Sequence, residues 1–174
     1  MENKNLLKLD KNILISIVND LNNGQNNKAL IALNKLINEF PDQALLFNLR
    51  GVCYESISHF EQSIENFSKA IEINPNYAEA LYNLGVVQKK AGKLDEAIYS
   101  YKKAIDIDST NVNAHNNLGN LLTLKGLFSQ SIEYLNKALS LNPKFAEAHN
   151  NLGLANIESN KLSESIKSFL LAIE

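Results

Sequence analysis

The hexapeptide AHNNLG occupies residues 114–119 and returns unchanged at residues 148–153, 34 residues further along the chain. A fixed period in this range is typical of stacked repeats, each of which buries its apolar face only against its neighbours. The period therefore predicts an α-solenoid and favours a binding function. The same interval of 34 residues separates four successive glycines, Gly51, Gly85, Gly119 and Gly153. It also separates Pro41 from Pro75, and twice this interval separates Pro75 from Pro143.

Each 34-residue unit contains two apolar stretches with helical spacing and a short break between them. In the third unit, Leu84 and Val87 precede Gly92, and Leu94 and Ile98 follow it, which is the pattern of two helices joined by a turn. The sequence thus predicts an all-α chain with an N-terminal extension at 1–9, four full units at 10–43, 44–77, 78–111 and 112–145, and an incomplete unit at 146–174. First helices are predicted at about 11–23, 43–57, 77–91, 111–125 and 145–159, and second helices at about 26–39, 60–73, 94–107, 128–141 and 162–173.

Two recurring features explain how such units turn and stack. The breaks inside the units carry mostly residues that tolerate the left-handed conformation at a helix end. Glycine at the eighth place lets the helices of a pair approach closely, while a larger side chain at the twenty-fourth place fills the space between layers. The breaks fall at Gly24, Ser58, Gly92, Gly126 and Asn160, and the filling side chains are Phe67, Tyr101, Leu135 and Phe169.

Composition excludes several classes of function. The net charge is −2, with acidic and basic residues mixed along the chain, so the basic stripe that nucleic-acid binding requires is missing. Charged residues interrupt the apolar run of residues 1–20, and we therefore expect neither an export signal nor a membrane segment. The single cysteine, Cys53, fits a reducing compartment and predicts a cytoplasmic protein.

The chain resembles the tetratricopeptide repeat family over residues 10–174. The residues that carry the resemblance include Leu84-Gly85, Ala97, Tyr101 and Ala104, which follow the family's 34-residue pattern. The resemblance implies a right-handed superhelix whose first helices line a concave groove that holds an extended peptide or a partner helix. The first unit departs from the pattern, with Ile17 where glycine is expected, as suits a terminal unit.

Asparagine recurs at the places that the resemblance assigns to this groove. The sixth place of three successive units carries Asn83, Asn117 and Asn151, and a carboxamide can pair with both the C=O and the N–H groups of an extended chain. The repeats at 114–120 and 148–153 resemble those of the O-linked N-acetylglucosamine transferase superhelix, in which asparagines at this phase hold the substrate peptide. The candidate peptide-binding residues are Asn83, Asn117, Asn151, Asn48, Asn116, Asn150, Asn113, Asn120 and Tyr82.

Other interpretations of these residues remain open at the level of sequence. The chain has 26 asparagines, so their recurrence could also reflect composition on a wet surface. The carboxylate clamp of heat-shock chaperone partners is disfavoured, because only Lys89 and Lys90 lie near the groove, at its rim, and a terminal carboxylate would meet no fork of cations.

No catalytic, cofactor or metal motif is apparent. His115 and His149 share the fourth place of their units, where packing between layers explains a flat side chain better than metal ligation does. Cys53 falls on the packed side of its helix and is expected to be a core residue. The chain is therefore predicted to be a non-catalytic module that binds protein or peptide.

Two further hypotheses come from the end of the sequence. The chain could be the N-terminal substrate-recognition arm of a larger transferase, such as a glycosyltransferase. Alternatively, the apolar face of the last helix could pair with itself, since a solenoid end without a polar cap favours association. That face consists of Leu162, Ile166, Phe169 and Ile173.

Overall fold

The computed structural model describes residues 9–173, which form helices joined by short turns, and no strand occurs among them. The predicted helix pairs are confirmed, with ends that agree with the sequence-based ranges to within one residue. The helices are α1 (Lys11–Asn22), α2 (Asn26–Glu39), α3 (Ala44–Ser56), α4 (Phe60–Ile73), α5 (Ala78–Lys90), α6 (Leu94–Ile107), α7 (Val112–Leu124), α8 (Phe128–Leu141), α9 (Ala146–Glu158) and α10 (Leu162–Ile173).

Contacts divide the described helices into two compact units, one with α1–α4 that ends at Pro75 and one with α5–α10 that begins at Asn76. In each unit every helix packs against the next one along the chain, and α7 also packs against α9. The first helices of successive repeats in the second unit, α5, α7 and α9, are thus brought side by side, as hydrogen bonds between their side chains show below. This arrangement places the candidate site residues of that unit on one face.

The turns inside the repeats adopt the left-handed conformation that the sequence predicts. Gly92 and Gly126 have φ angles of 76° and 74°, and Ser58 and Asn160 have φ angles of 60° and 59°. An L-residue in this region is strained, and serine has less local compensation than asparagine. Ser58 is therefore the costliest of these turns.

The turn between α6 and α7 lacks the proline found in the other inter-repeat turns. Asp108 accepts hydrogen bonds through Oδ1 from the backbone N–H of Thr110 at 3.0 Å and from its hydroxyl at 2.6 Å. An aspartate that bonds two residues ahead imitates a backbone turn. These bonds lower the pKa of the Asp108 carboxyl. Asn142, which stands at the same place before Pro143, accepts the matching bond from the backbone N–H of Lys144 at 3.2 Å, so the two turns share this side-chain bond.

The glycines at the eighth place of the repeats are explained by the close approach of the two helices in a pair. A Cβ atom on Gly85 would lie 2.7 Å from Cδ1 of Tyr101, and one on Gly119 would lie 2.6 Å from Cγ of Leu135. Carbon atoms rest about 3.5–4.0 Å apart, so no larger residue fits without displacing a buried side chain. Gly51 and Gly153 face Phe67 and Phe169 in the same way, and the predicted role of the eighth and twenty-fourth places is confirmed.

Serine at the twentieth place adds a hydrogen bond at the same contact. The hydroxyl of Ser63 donates to the carbonyl of Gly51, and that of Ser131 donates to the carbonyl of Gly119, both at 2.8 Å. Only helices in close contact allow a side chain this short to reach a neighbouring backbone carbonyl. These bonds therefore fix the position of α4 along the axis of α3 and the position of α8 along the axis of α7.

The first helix pair uses a different contact, as its departure from the pattern suggests. Ile17 in α1 and Leu33 in α2 occupy the eighth and twenty-fourth places, where later pairs have glycine and either an aromatic ring or Leu135, and both are buried. A branched aliphatic side chain thus stands where later pairs have glycine, so the pair is packed through side chains rather than through close backbone approach.

Candidate functional site

The candidate residues of the second unit lie on α5, α7 and α9. We define the amide face as Tyr82, Asn83, Asn113, Asn116, Asn117, Asn120, Asn150 and Asn151. Asn48 lies on α3 in the other unit and is treated separately.

A chain of hydrogen bonds crosses the amide face from α5 to α9. The Lys89 ammonium donates to Oδ1 of Asn120 at 3.0 Å, and Nδ2 of Asn120 donates to Oδ1 of Asn151 at 3.2 Å. Nδ2 of Asn151 then donates to Oδ1 of Asn116 at 2.9 Å, and Nδ2 of Asn116 donates to Oε1 of Glu147 at 2.9 Å. The asparagines thus bond one another between α7 and α9, and Lys89 connects them to α5, which the sequence did not reveal.

A second bond joins α5 and α7 at Tyr82. Nδ2 of Asn117 donates to the Tyr82 hydroxyl at 3.3 Å, and the Tyr82 ring lies 5.9 Å from that of Tyr101. Burial raises the pKa of the Tyr82 phenol, the Asn117 bond opposes this, and the nearby Glu147 carboxylate adds to it. The hydroxyl therefore stays protonated and can donate a hydrogen bond of its own.

Burial divides the candidates into two groups. Asn48, Asn116 and Asn151 have exposed fractions of 0%, 1% and 6%, so their amides can act only by holding neighbouring side chains. Asn113 and Asn150 are exposed, and the others are partly exposed: Asn83, Asn117, Asn120 and Tyr82. The role of all of these residues in peptide binding stays a prediction, but only the exposed and partly exposed ones can touch a ligand.

The two histidines at the fourth place tie their helices to the preceding turn. Nε2 of His115 lies 3.1 Å from the carbonyl oxygen of Ser109, and Nε2 of His149 lies 2.9 Å from that of Pro143. Because a carbonyl only accepts, Nε2 carries the proton in both rings, which leaves each buried Nδ1 without a partner among the described residues. Burial lowers the pKa of His115, so the ring is neutral at pH 7.

Nothing within residues 9–173 gathers three His, Cys, Asp or Glu side chains in a way that could hold a metal ion. The Cys53 thiol is fully buried, and burial raises its pKa to about 11, which makes it a poor nucleophile at neutral pH. Across the same residues, every helix is too short or too polar to cross a membrane.

The last helix, α10, carries the apolar side chains for which the sequence raised the hypothesis of self-association. Leu162, Ile166 and Ile173 are exposed, and Phe169 is partly buried against Gly153. Self-association through this surface stays a prediction.

Stacked helix pairs that display a continuous polar face define a helical-repeat binding protein. Among such proteins, the chain belongs to the tetratricopeptide repeat family. Family models described as "Tetratricopeptide repeat" match residues 112–145 and 146–174, and one described as "TPR repeat" matches residues 59–92 and 89–126. The family that the sequence resembles is confirmed.

Among curated proteins, the small glutamine-rich tetratricopeptide repeat-containing protein of Dictyostelium discoideum is 38% identical over 65 residues. The match covers 37% of this chain and only 20% of that protein. The similarity therefore extends over a small part of that relative, and nothing about its remaining length carries over.

Solved structures show the same fold. A crystal structure of MamA matches with a TM-score of 0.84 at 24% identity, covering 96% of this chain and 95% of that one. MamA from Desulfovibrio magneticus RS-1 matches with a TM-score of 0.84 at 19% identity, covering 94% and 92% of the two chains. YrrB, described as a TPR protein with an unusual peptide-binding site, matches with a TM-score of 0.77 at 20% identity, covering 92% and 80%.

These comparisons support a protein-interaction module and are consistent with a non-catalytic scaffold. They do not show the resemblance to O-linked N-acetylglucosamine transferase repeats, and they give the transferase-arm alternative no support.

Proposed function

We propose that this chain binds an extended segment of a partner protein on the amide face of α5, α7 and α9. The observation that carries the proposal is the hydrogen-bonded chain from Lys89 to Glu147. It holds the side-chain amides of Asn116 and Asn120 on α7 and of Asn151 on α9 in fixed orientations and ties them to Lys89 on α5. Polar groups that are already ordered lose little conformational entropy when a ligand binds.

The buried and the exposed amides have different roles in this proposal. Asn116 and Asn151 bond each other beneath the surface and position the helices. Asn113 and Asn150 are exposed, and Asn117 is partly exposed. A carboxamide has two N–H donors and a carbonyl with two lone pairs, so the single bond from Asn117 to Tyr82 leaves it capacity for a ligand.

Recognition by amides predicts loose sequence preference. The groups that a carboxamide pairs with are present in every residue of an extended chain, namely the backbone N–H and C=O. The Lys89 ammonium bonds the neutral amide of Asn120, and the Glu147 carboxylate bonds the neutral amide of Asn116. Both keep their charge, so any charge preference is confined to the two ends of this chain of bonds. The description of YrrB as a peptide-binding TPR protein adds support from a protein of the same fold.

The test begins with selection of binding peptides from a random-sequence library on the full chain. For one selected peptide, each residue is replaced by alanine in one series, and each backbone amide is N-methylated in a second. We expect alanine to change the affinity by less than about threefold at most positions, and N-methylation at several adjacent positions to lower it about fivefold or more, as loss of one hydrogen bond predicts. The opposite ranking, with side chains dominating, would refute backbone recognition.

Protein variants locate the contact. The combined change Asn113→Ala, Asn117→Ala and Asn150→Ala removes amides that are exposed or partly exposed, and we expect it to weaken binding at least tenfold without loss of helicity. Gln130→Ala is the matched control, because it removes an exposed amide from α8. Equal affinity of the triple variant and the control would exclude the amide face as the binding site.

A further inference from the structure

The first unit contains a cation with an unusual environment. Arg50 is the only arginine in the sequence, and it occupies the seventh place of its repeat, where later repeats carry Leu84, Leu118 and Leu152. Arg50 is partly buried, so its guanidinium keeps some contact with solvent, and hydrogen bonds compensate for the part of its surface that is buried.

Neutral groups hold this guanidinium in place. Nε of Arg50 donates to Oδ1 of Asn66 on α4 at 2.6 Å, and Nη1 donates to Oδ1 of Asn34 on α2 at 2.9 Å. The Phe47 ring lies beneath, with its centroid 5.3 Å from Cζ. Within residues 9–173 no carboxylate forms an ion pair with Arg50, and the donors on Nη2 are not used by these bonds.

A cleft lies beside the guanidinium. Its volume is about 470 Å³, and its walls come from α3 and α4: Phe47, Arg50, Glu65, Asn66, Ser68, Lys69 and Glu72. A cavity of this size is within the range of about 300–1,000 Å³ that is typical of ligand sites. The cleft is therefore large enough for an acidic side chain and adjoining backbone.

The twenty-third place of the repeat explains why the cleft is open. In the fourth repeat that place carries Tyr134, whose side chain packs against the cluster that contains the buried Leu118. In the second repeat it carries the shorter Asn66, and in the fifth it carries Ser168, which lines a comparable cavity of about 390 Å³ together with Leu152. At the seventh place the fifth-repeat cavity is lined by Leu152 and the second-repeat cleft by Arg50. The cations of the fifth-repeat cavity, Lys161 and Lys167, come from other places of the repeat.

We propose that the cleft beside Arg50 binds a carboxylate from an acidic segment of a partner protein. Because Nε is used by Asn66 and one Nη1 hydrogen by Asn34, the carboxylate is bound through Nη2 and the second Nη1 hydrogen. This end of the planar guanidinium can give two parallel hydrogen bonds. A phosphate dianion fits less well, because Lys69 is paired with Glu72 at 2.8 Å and Glu65 also lines the cleft. The site uses residues of the first unit alone, so it stands or falls independently of the amide face.

The single arginine makes the test direct, since its Nε–Hε group gives one resonance in a ¹H–¹⁵N spectrum of the full chain. The probe is a capped Gly-Glu-Gly tripeptide, titrated at millimolar concentration and constant ionic strength. Capped Gly-Gln-Gly and inorganic phosphate are titrated in parallel. We expect a saturable shift of the Nε–Hε resonance with the glutamate peptide only. A shift that does not saturate, an equal shift with the glutamine peptide, or saturation by phosphate alone would overturn the proposal.

Four variants separate a binding role from a structural one. Arg50→Leu restores the residue of the later repeats, so it should fold and should lose the probe-induced shifts of the Phe47 and Asn66 backbone amides. Arg50→Lys should weaken binding about tenfold, because a lysine lacks the fork. Lys102→Gln, which removes an exposed cation from α6 in the other unit, is the control and should leave binding within about twofold.

Glu65→Gln tests whether the cleft already has its own counterion. If the site awaits an external carboxylate, this variant should bind the probe about twofold to threefold more tightly, because a repelling charge is removed. A change in the unliganded Nε–Hε resonance as large as that caused by saturating probe would identify Glu65 as the partner of Arg50 and contradict the proposal.

Discussion

Replacement of Gly119 by alanine tests the packing that sets the period of the chain. The new Cβ atom would lie 2.6 Å from Cγ and 2.9 Å from Cδ2 of Leu135, and 3.3 Å from the carbonyl oxygen of Ser131. Leu135 is fully buried and cannot move away without disturbing its neighbours. We therefore expect a clash at the contact between α7 and α8.

The expected magnitude follows from two opposing effects. Overpacking of a buried site costs about 1–3 kcal/mol, whereas replacing glycine by alanine inside a helix gains about 1 kcal/mol. In the wild-type background the net change is a destabilisation of about 1 kcal/mol. In a Leu135→Ala background the clashing Cγ and Cδ2 atoms are gone, so Gly119→Ala should instead stabilise by about 1 kcal/mol. The coupling between the two sites is then about 2 kcal/mol.

The coupling is measured by urea unfolding of the four proteins of the double-mutant cycle, followed by circular dichroism. A fixed concentration of trimethylamine N-oxide keeps the Leu135→Ala proteins folded at the start, since that change alone costs about 2–5 kcal/mol. Leu33→Ala, at the same repeat place in α2, is the control background and should leave the effect of Gly119→Ala unchanged. Additivity within about 0.5 kcal/mol in the Leu135→Ala background would refute the close-contact explanation.

The remaining predictions address single features. Ser58→Gly should raise stability by about 1 kcal/mol because it relieves left-handed strain at φ 60°, and Gly92→Ser should lower it by a similar amount; thermal melts of both variants test this pair. Asn151→Ala breaks two hydrogen bonds of a buried chain and should cost about 2 kcal/mol in urea unfolding, while Asn113→Ala, at an exposed site, should change stability by less than about 0.5 kcal/mol. Because burial lowers the pKa of His115 from 6.5, the unfolded chain binds the proton first on acidification; the contribution of this ring to stability is complete above about pH 6.5 and is lost as the pH falls towards the folded-state pKa. The urea midpoint should therefore fall between about pH 7.5 and pH 5.5 by more in wild type than in His115→Phe, and equal falls would exclude this role. The buried Cys53 thiol, with its pKa raised to about 11, should react with a disulfide reagent at pH 8 only after urea unfolds the chain. Rapid reaction of the folded protein would contradict this, because it would show that the packing around Cys53 on α3 opens without unfolding.

The helices and turns could be predicted because each depends on local chemistry or on a contact that the period repeats. Gly92 and Gly126 fall where a left-handed residue is needed. Gly85 contacts Tyr101 because the eighth and twenty-fourth places of a repeat face each other in every helix pair after the first. Such features are visible in one sequence, since the units after the first repeat the glycine contact in phase.

The hydrogen bonds of the amide face could not be predicted in the same way. The phase of Asn116 and Asn151 shows that they share a face, but not that Nδ2 of one lies 2.9 Å from Oδ1 of the other. That distance depends on the separation and the crossing angle of α7 and α9. Both are determined by side chains along the whole length of the two helices. The environment of Arg50 had a sequence signal that was missed, namely the only arginine standing at a leucine place.

The most direct test of the central proposal is a ¹H–¹⁵N map of the full chain bound to a library-selected peptide. The side-chain amides of Asn113, Asn117 and Asn150 each give a pair of resonances that report contact with a ligand. We expect these resonances to shift on saturation together with backbone amides of α5, α7 and α9, while those of Asn136 and Gln130 on α8 stay in place. Shifts confined to the second helices of the repeats, with the amide face unchanged, would contradict the account.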